Sequence, residues 1–344
     1  MQRVYEINGE PCLDYKMDYC RTPSYARSVF KLMREKRVDL VVHAGDFDYE
    51  SSPRTWDNFL TQELQGMCYL AAKGNHDSNC DEGAPDPSAC RDDPDRDRWG
   101  GGLFDGTQGY SSYLKQHQPG NAICQGNYGV DYSCSYKGVF FVFSSVGVER
   151  AGEGANRKHV QFIREQLSQS SAMWKVCVWH MTMEDMQTTY KSDATGWDAY
   201  ETCRKAGAFI VTGHSHAYAR SHEIKKYAYE KYGHHYTDLQ VSTWDKHEVN
   251  LYAGLEQGRN AVAVVGVGGF KNEPTLREGD HWARIYSTKC IQDECYTADE
   301  NDVNRFGALI CEFDEIKNWA YCEFLATDHS KIDHFTLVSH ISVD

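Results

Sequence analysis

The chain has 344 residues, and 36 Lys and Arg against 50 Asp and Glu give it a formal net charge of −14. Hydrophobic residues make up 41% and charged residues 25% of the sequence, a balance that excludes a disordered or collagen-like chain. No apolar stretch approaches the ~18–20 residues of a membrane-spanning helix, so no membrane span is expected. The negative charge repels phosphate backbones and argues against general nucleic-acid binding.

The first part of the chain predicts a helix, strand, helix and strand in that order. A helix is expected to begin at Thr22 and Pro23, because a capping residue followed by proline is a common helix start. The apolar run Val38–Val42 predicts a buried strand. A second helix around Trp56–Leu64 then leads to a short strand at Cys68–Ala72.

Residues 79–135 differ in composition, being rich in Asp, Gly, Pro and Cys. We interpret them as a long insertion, and a solvated loop is favoured over a lid. Regular patterns resume with the strand VFFVFSSV, a helix around Val160–Leu167, the strand WKVCVWH, a helix at Asp198–Ala206 and the strand AFIVTGHSH. From residue 225 onward short strands follow one another. This change predicts a single α/β domain over 1–344, with a motif-bearing part at 22–222 and a strand-rich part at 225–344. Two packed sheets with helices outside are expected, the early strands in one sheet and the late strands mainly in the other.

The 13 cysteines are many for a reduced cytosolic enzyme. Ten fall into couples that are close in sequence: Cys12/Cys20, Cys80/Cys90, Cys124/Cys134, Cys290/Cys295 and Cys311/Cys322. We predict disulfides at Cys80–Cys90, Cys124–Cys134 and Cys311–Cys322, and buried thiols at Cys68, Cys177 and Cys203. The pattern favours secretion or another oxidising compartment, although the N-terminal residues lack the apolar core of a signal peptide.

Four polar motifs each follow directly on a hydrophobic strand: GDFDY, GNHD, the histidine after WKVCVW, and GHSH. Because ligands of open α/β sheets bind at the carboxyl ends of strands, the four loops are expected to meet at one edge. Their polar residues are Asp46, Tyr49, Asn75, His76, Asp77, His180, His214 and His216. Carboxylate, amide oxygen and imidazole suit borderline metals, and the set is larger than one tetrahedral site needs, which favours two metal ions. For one isolated histidine a structural role would be the better interpretation, but four strand-end motifs in series favour a site.

The series GD, GNHD, H and GHSH resembles the calcineurin-like metallophosphoesterases. The spacing G-D-x-x-Y and the run GHSHAYAR are most similar to the purple acid phosphatase branch of that family, and the resemblance runs from about residue 22 to the end. It implies a four-layer αββα sandwich and binuclear-metal hydrolysis of phosphate esters, by an acid phosphatase-like phosphomonoesterase or a small-molecule phosphodiesterase. The implied cofactors are two metal ions, iron with zinc, manganese or a second iron, and the implied partner is a phosphorylated small-molecule or phosphoester substrate.

The resemblance also implies a role for each motif residue. Asp46 would bridge the two metal ions, with His216 and Tyr49 completing the first metal site. The residues that would complete the second metal site are Asn75, His180 and His214. His76 would stabilise or protonate the leaving oxygen, and Asp77 would orient His76. Arg220 in AYAR could bind a substrate phosphate or form a local salt bridge.

One family feature is missing, because no Asp-x-His or Gly-Asp-x-Gly motif precedes Asp46 to supply a further ligand to the first metal. Asp14 and Asp18 lie at a plausible distance, but neither follows an apolar strand. The alternative is that a first strand, with any signal sequence, precedes Met1. The missing motif keeps a second function open, that of a metal-binding but catalytically weakened member acting as a binding or scaffold module. A nuclease is disfavoured by the charge.

Overall fold

The structure, a computed structural model, describes residues 4–7, 10–13, 17–49, 51–78, 102–148, 153–227, 239–277, 279–290, 295–297, 306–314 and 316–342. The helices in these ranges are α1 Met17–Glu35, α2 Pro53–Glu63, α3 Tyr110–Leu114, α4 Glu153–Gln169 and α5 Trp197–Lys205. The strands are β1 Val4–Ile7, β2 Glu10–Leu13, β3 Leu40–His43, β4 Cys68–Ala71, β5 Ile123–Asn127, β6 Asp131–Tyr136, β7 Val139–Ser144, β8 Trp174–Trp179, β9 Phe209–Thr212, β10 Tyr218–Ser221, β11 Glu223–Lys226, β12 Gln240–Ser242, β13 Glu248–Leu251, β14 Val262–Val265, β15 Trp282–Ser287, β16 Cys295–Thr297, β17 Gly307–Phe313, β18 Trp319–Ala326 and β19 Lys331–Ser339.

A nine-stranded mixed sheet dominates the molecule, in the order β16-β15-β10-β14-β9-β8-β7-β6-β5. Its centre, β7-β8-β9-β14, is parallel, and these strands are apolar along their length because both faces of the sheet are covered. The register places Ser144 beside Trp179 and Trp179 beside Thr212. The residues that follow these strands therefore emerge at one edge of the sheet.

A second layer contains two smaller sheets, the parallel pair β3-β4 and the four-stranded sheet β13-β19-β18-β17. The expected division of early and late strands is therefore wrong in part. The early strands β3 and β4 lie in the second layer, whereas the late strands β14, β15 and β16 complete the large sheet. The reason is that β10 runs antiparallel between β14 and β15, which brings the chain back to the large sheet after residue 225.

The hydrophobic core has one part on each side of the large sheet. On one side Val142 and Ile210 pack with Ile163 of α4 and Tyr200 of α5. On the other side the sheet packs with the second-layer strands, which in turn contact α1 and α2; this part includes Phe143, Phe209, Leu70, Leu337, Phe30 and Phe59. The order helix, sheet, sheet, helix confirms the αββα sandwich. None of the helices within the described ranges is long and apolar enough to cross a membrane.

The start of the first helix and the predicted insertion loop both differ in the structure. α1 begins at Met17 rather than at Thr22. Residues 102–135 contain α3, β5 and β6 instead of a loop, because Tyr110 and Leu114 are buried in the core and β6 pairs with β7. Residues 79–101 lie outside the described residues.

The disulfides Cys124–Cys134 and Cys311–Cys322 are confirmed, each joining directly opposed residues of adjacent antiparallel strands. The couple Cys290/Cys295 is also bonded. Cys80–Cys90 and the couple Cys12/Cys20 lie outside the residues whose side chains are described. Among the described cysteines, Cys68 is a free thiol as predicted, but it is half-buried rather than buried.

The prediction that Cys177 and Cys203 are thiols is wrong, because they form a disulfide with a Cα–Cα distance of 6.7 Å. Cys177 faces the side of the large sheet that α5 covers, and Cys203 lies on the buried face of α5; both are fully buried. Their sequence separation of 26 gives no sign of this proximity.

Candidate metal centre

The polar loops that follow four strands meet where the two sheet layers face each other. β3 and β4 of the second layer lead to Asp46 and to the GNHD loop, and β8 and β9 of the large sheet lead to His180 and to the GHSH loop. The meeting of β3 and β8 is direct, because Nδ1 of His180 donates a hydrogen bond of 2.7 Å to the carbonyl oxygen of Ala44. The four loops therefore meet at one site, as expected from the sequence, and that site lies between the two sheet layers.

Asp46, His180 and His214 form the centre of the site. One ligand atom from each lies within 4.8 Å of the other two, and all three residues are buried. Nε2 of His180 is 3.0 Å from Oδ2 of Asp46. Since a carbonyl oxygen only accepts, the hydrogen bond to Ala44 places the proton on Nδ1 and leaves Nε2 as the atom that faces Asp46.

Tyr49 and His216 adjoin this centre. The hydroxyl of Tyr49 lies 3.2 Å from Oδ2 of Asp46 and 3.0 Å from Nε2 of His216. A carboxylate, a phenol and an imidazole thus converge on one point, and the phenol contacts the same oxygen of Asp46 as Nε2 of His180. The structure brings these sequence-selected residues together.

Asn75 is buried, and within the described residues neither its amide oxygen nor its amide nitrogen has a hydrogen-bond partner. Leaving a buried amide unsatisfied costs free energy, so such a group usually has a partner of another kind. The amide oxygen, the Asp46 carboxylate and the imidazoles together are the donor set that borderline divalent and trivalent metals prefer. The residues present therefore fit a metal centre.

The ionisation states follow from burial and from the proximity of opposite charges. Burial raises the pKa of Asp46, but the positive charge of His180 outweighs it and holds that pKa well below its usual range. Burial lowers the pKa of His180, and the charge of Asp46 reverses this, so the net direction is upward. Burial, followed by the charge of Asp46, raises the pKa of the Tyr49 phenol well above its usual value.

Asp77 links the GNHD loop to the loop after β3 by hydrogen bonds. Its carboxylate accepts the backbone N–H groups of Asp46 and Phe47 at 2.8 Å each and of Gly74 at 2.6 Å. Burial and then the charge of Asp46 raise the pKa of Asp77 to about 7, against the hydrogen bonds from Phe47 and Gly74. Its predicted role in orienting His76 stays a prediction.

His76 is half-buried at the margin of the centre. Its ring centroid is 4.7 Å from that of Tyr49, and its backbone N–H donates a hydrogen bond of 2.9 Å to Oδ1 of Asp46. Asp46 is therefore fixed from both oxygens, by His76 and by its contacts with His180 and Tyr49.

The backbone at the site adopts conformations that ordinary residues avoid. Asp46 and His214 have φ angles of 58° and 63°, in the left-handed region, and such strained residues often occur at functional sites. A Cβ atom on Gly74 would lie 2.2 Å from Oδ1 of Asp46, so only glycine permits this approach of the two loops.

Sequence reasoning missed Glu273. Its carboxylate is buried, with Oε1 3.5 Å from Nδ1 of His216, 2.8 Å from Nζ of Lys271 and 3.2 Å from the hydroxyl of Tyr190. Glu273 lies in the segment KNEP after the apolar run AVAVVGVGGF, but that segment carries no motif that indicated a place at the metal centre. Asp14, considered as a first-metal ligand, lies outside the described residues, and Asp18 lies in α1 at a position whose side chain is not described.

Comparison with known proteins identifies the family. The model of the calcineurin-like phosphoesterase family matches residues 23–218. The solved structure of PhoD is similar over 90% of this chain and 65% of that chain, with a TM-score of 0.47 and 12% sequence identity, so this chain spans about 65% of the length of that structure. No curated protein gives a significant match. The family match covers more than half of the chain and includes all the motif residues described above, and the chain therefore belongs to the calcineurin-like phosphoesterase family.

Proposed function

We propose that this protein hydrolyses phosphate esters with two metal ions held at the centre formed by Asp46, His180 and His214. The observation that carries the proposal is the convergence of one buried carboxylate with buried imidazoles at the ends of the motif-bearing strands. The substrate class that we infer is a phosphomonoester or a small phosphodiester.

The ligand assignment follows the family motifs. Asp46 would contact both metal ions, and Tyr49 and His216 would bind the first. The residues that would bind the second are Asn75, His180 and His214. When bound, two such ions lower the pKa of a coordinated water and neutralise phosphoryl oxygens, and the pair proposed here is iron with zinc, manganese or a second iron.

The side chains of the protein then have distinct tasks. His76 lies beside Tyr49 at the half-buried margin of the site, where its ring can hold or transfer a proton at the leaving oxygen of the ester. Asp77, by fixing the backbone of Asp46 and Gly74, keeps the GNHD loop against the end of β3. The family resemblance adds that Asp77 orients His76.

The proposal of an acid phosphatase-like subtype rests on Tyr49. The contacts of its hydroxyl with Asp46 and His216 support a place for the phenolate on the first metal. A phenolate bound to Fe(III) absorbs visible light, so the protein loaded with Fe(III) is expected to be coloured and the Tyr49→Phe variant to be colourless. An Fe(III)-loaded protein without a visible band that depends on Tyr49 would contradict this subtype.

A second candidate function is a binding or scaffold module with weakened catalysis. It is favoured by the small number of ligands proposed for the first metal. Among the described residues, the Asp, Glu, His and Cys side chains that lie close enough to share a metal ion are those of Asp46, His180 and His214, and of these only Asp46 is assigned to the first metal. If the first metal is weakly held, hydrolysis of an aryl phosphate should be slow and should depend on added metal. Substrate binding without turnover at saturating metal would favour this second function.

The experiment that tests the proposal is metal analysis together with hydrolysis of p-nitrophenyl phosphate. His214→Ala is expected to lose bound metal and activity together. The matched control is His159→Ala, which also removes a buried histidine but one that pairs with Asp131 away from the centre. Full activity of His214→Ala, or strong hydrolysis after complete removal of metal, would show that the chemistry lies elsewhere.

We further propose secretion or another oxidising compartment. Four disulfides join described residues, and such bonds are uncommon in proteins of the reducing cytosol. Localisation of the tagged protein in its source cells, compared with a cytosolic marker, tests this.

A further inference from the structure

Residues 270–273, which we call the FKNE segment, follow β14 and contact both side chains that adjoin Asp46 on the side of the first metal. The ring of Phe270 stacks on that of Tyr49, with 3.9 Å between the ring centroids, and meets the ring of His216 edge-on at 5.6 Å. The backbone N–H of Glu273 donates a hydrogen bond of 2.7 Å to the carbonyl oxygen of His216. One short segment therefore holds both of these residues.

The two ring nitrogens of His216 face different groups. Nε2 lies 3.0 Å from the hydroxyl of Tyr49, so Nε2 is the nitrogen that faces the metal centre. Nδ1 is buried, lies 3.5 Å from Oε1 of Glu273 and has no hydrogen-bond partner among the described residues. That distance is just beyond the ~2.7–3.2 Å of an N–H···O hydrogen bond. Glu273 is therefore the acceptor within reach of Nδ1.

The carboxylate of Glu273 is fixed in place and still has room for a further donor. Oε1 lies 2.8 Å from Nζ of Lys271 and accepts a hydrogen bond of 3.2 Å from the hydroxyl of Tyr190. Oε2 is buried and has no hydrogen-bond partner within the described ranges. An ionised carboxylate can accept several hydrogen bonds, and a buried oxygen without a donor costs free energy. The unpartnered atoms of Glu273 and His216 are thus complementary.

We propose that Glu273 is a positioning residue that accepts the Nδ1 proton of His216 and thereby keeps Nε2 unprotonated and directed at the first metal. The inference rests on the proposed function, because it assigns a role at the same centre. A histidine that binds a metal almost always donates its other ring N–H to a carboxylate, a carbonyl or water, which fixes its tautomer and ring orientation. Nδ1 of His180 already does so with the carbonyl oxygen of Ala44.

The position of Glu273 makes its effect specific to one metal. Its carboxylate lies at the nitrogen of His216 that points away from Tyr49, and it is not part of the described cluster of ligand atoms formed by Asp46, His180 and His214. Glu273 therefore acts through His216 and is not itself a ligand. Loss of its carboxylate should weaken the first metal site and leave the second unchanged.

Residue-resolved NMR of the imidazole nitrogens in the full chain with isotope-labelled histidine tests the proposal. In the metal-free protein we expect His216 to carry its proton on Nδ1, and Glu273→Leu to make the form protonated on Nε2 detectable. Zinc is then added in a chelator buffer, and its binding is followed separately at His216 and at His214. Glu273→Leu is expected to raise the free zinc concentration needed at His216 by about 10–100-fold. Glu273→Gln, which keeps an acceptor oxygen, should raise it less, and His214 should titrate as in the parent.

The matched control is Glu63→Gln. Glu63 is as deeply buried as Glu273, but its carboxylate pairs with Arg27 and Arg34 of α1. This variant is expected to change neither the tautomer of His216 nor the binding of zinc. A zinc affinity at His216 that falls equally in the control would show a general effect of losing a buried carboxylate and would overturn the inference.

The remaining outcomes separate this inference from the proposed function. Parental zinc binding at His216 in both Glu273 variants, equal weakening at His216 and His214, or weakening without a change of tautomer overturns the inference and leaves the proposed function standing. If Glu273→Leu does not fold, Glu273→Gln decides by the same criteria. A parent chain that binds zinc at neither histidine overturns the proposed function and this inference with it.

Discussion

At the scale of single residues, the site depends on how Asp46 is held. Its carboxylate is fixed by a backbone N–H on one oxygen and by His180 and Tyr49 on the other. Its own backbone N–H is fixed by Asp77. These contacts hold a left-handed conformation that costs of order 1–3 kcal/mol, and they position the carboxylate before any ligand binds.

His76→Ala should separate catalysis from metal binding. We expect turnover of an aryl phosphate to fall ~10²–10⁴-fold, the usual contribution of general acid–base catalysis, with little loss of bound metal. Steady-state kinetics and metal analysis on the same preparation check this. Loss of metal in parallel with activity, as expected for His214→Ala, would instead make His76 a ligand.

At the scale of elements, the close approach of the loop after β4 to the loop after β3 should limit which residues are tolerated. A Cβ atom on Gly74 meets Oδ1 of Asp46 at 2.2 Å, so Gly74→Ala must displace the loop that carries the proposed bridging ligand. We expect a loss of ~1–3 kcal/mol in the free energy of unfolding and weaker metal binding. Urea unfolding and metal titration are the measurements.

The control for this prediction is Gly120→Ala. A Cβ atom at Gly120 meets nothing within 4 Å, and its φ is not in the left-handed region, so the change should stay within ~0.5 kcal/mol of the parent. Equal stability and equal metal affinity of both variants would mean that the two loops can separate freely.

The disulfide between β8 and α5 should stabilise the same region from the other face of the sheet. It closes a sequence separation of 26 residues, and we expect the double variant Cys177→Ala, Cys203→Ala to lose ~2–4 kcal/mol. The double variant Cys124→Ala, Cys134→Ala, with a separation of 10, should lose less. Urea unfolding compares them, and alkylation of Cys177 without prior reduction, seen by mass spectrometry, would contradict the bond.

At the scale of the whole molecule, buried ionic contacts of Asp333 join the two sheets. Asp333 of β19 accepts from Nε of Arg220 of β10 at 2.6 Å, and from the hydroxyl of Tyr218 at 2.7 Å. Arg220 is 1% exposed, so of the two roles considered for it the structure shows the local salt bridge. The pair fixes the large sheet against the four-stranded sheet and thereby the separation of the two layers around the metal centre.

This pair should make part of the stability depend on pH. Burial raises the pKa of Asp333, but its hydrogen bonds and ion pair with Arg220 outweigh burial and lower that pKa below its usual range. Because the pKa in the folded state is below the unfolded value of ~3.9, the contribution is complete above that pH and is lost as the pH falls through the folded pKa. Acid should therefore weaken the contact between the sheets.

Asp333→Asn tests this dependence. We expect it to lose ~3–5 kcal/mol at pH 7, since it leaves Arg220 buried without its counterion, and to lose less than the parent on acidification to about pH 3. Unfolding free energies at both pH values are compared with those of Asp105→Asn, which removes an exposed carboxylate. A variant as stable as the parent at pH 7, with the same acid sensitivity, would show that the pair contributes nothing.

The polar residues that follow the strands could be recognised from the sequence. An apolar run covered on both faces must be a buried strand, and polar residues directly after it must lie at the sheet edge, so Asp46, His180 and His214 could be selected together before any coordinates were known. Short-range disulfides such as Cys311–Cys322 were predictable for the same reason, since a turn between two short strands places their residues opposite each other.

Only the tertiary structure decided contacts between residues that are distant in sequence. Cys177–Cys203, Arg220–Asp333 and the position of Glu273 beside His216 depend on which helix covers which face and on how the two layers are aligned. The assignment of β14 to the large sheet depends on strand order. Local patterns report burial and period along one segment, whereas strand order and layer alignment are set by packing among all segments at once, and no single segment carries that information.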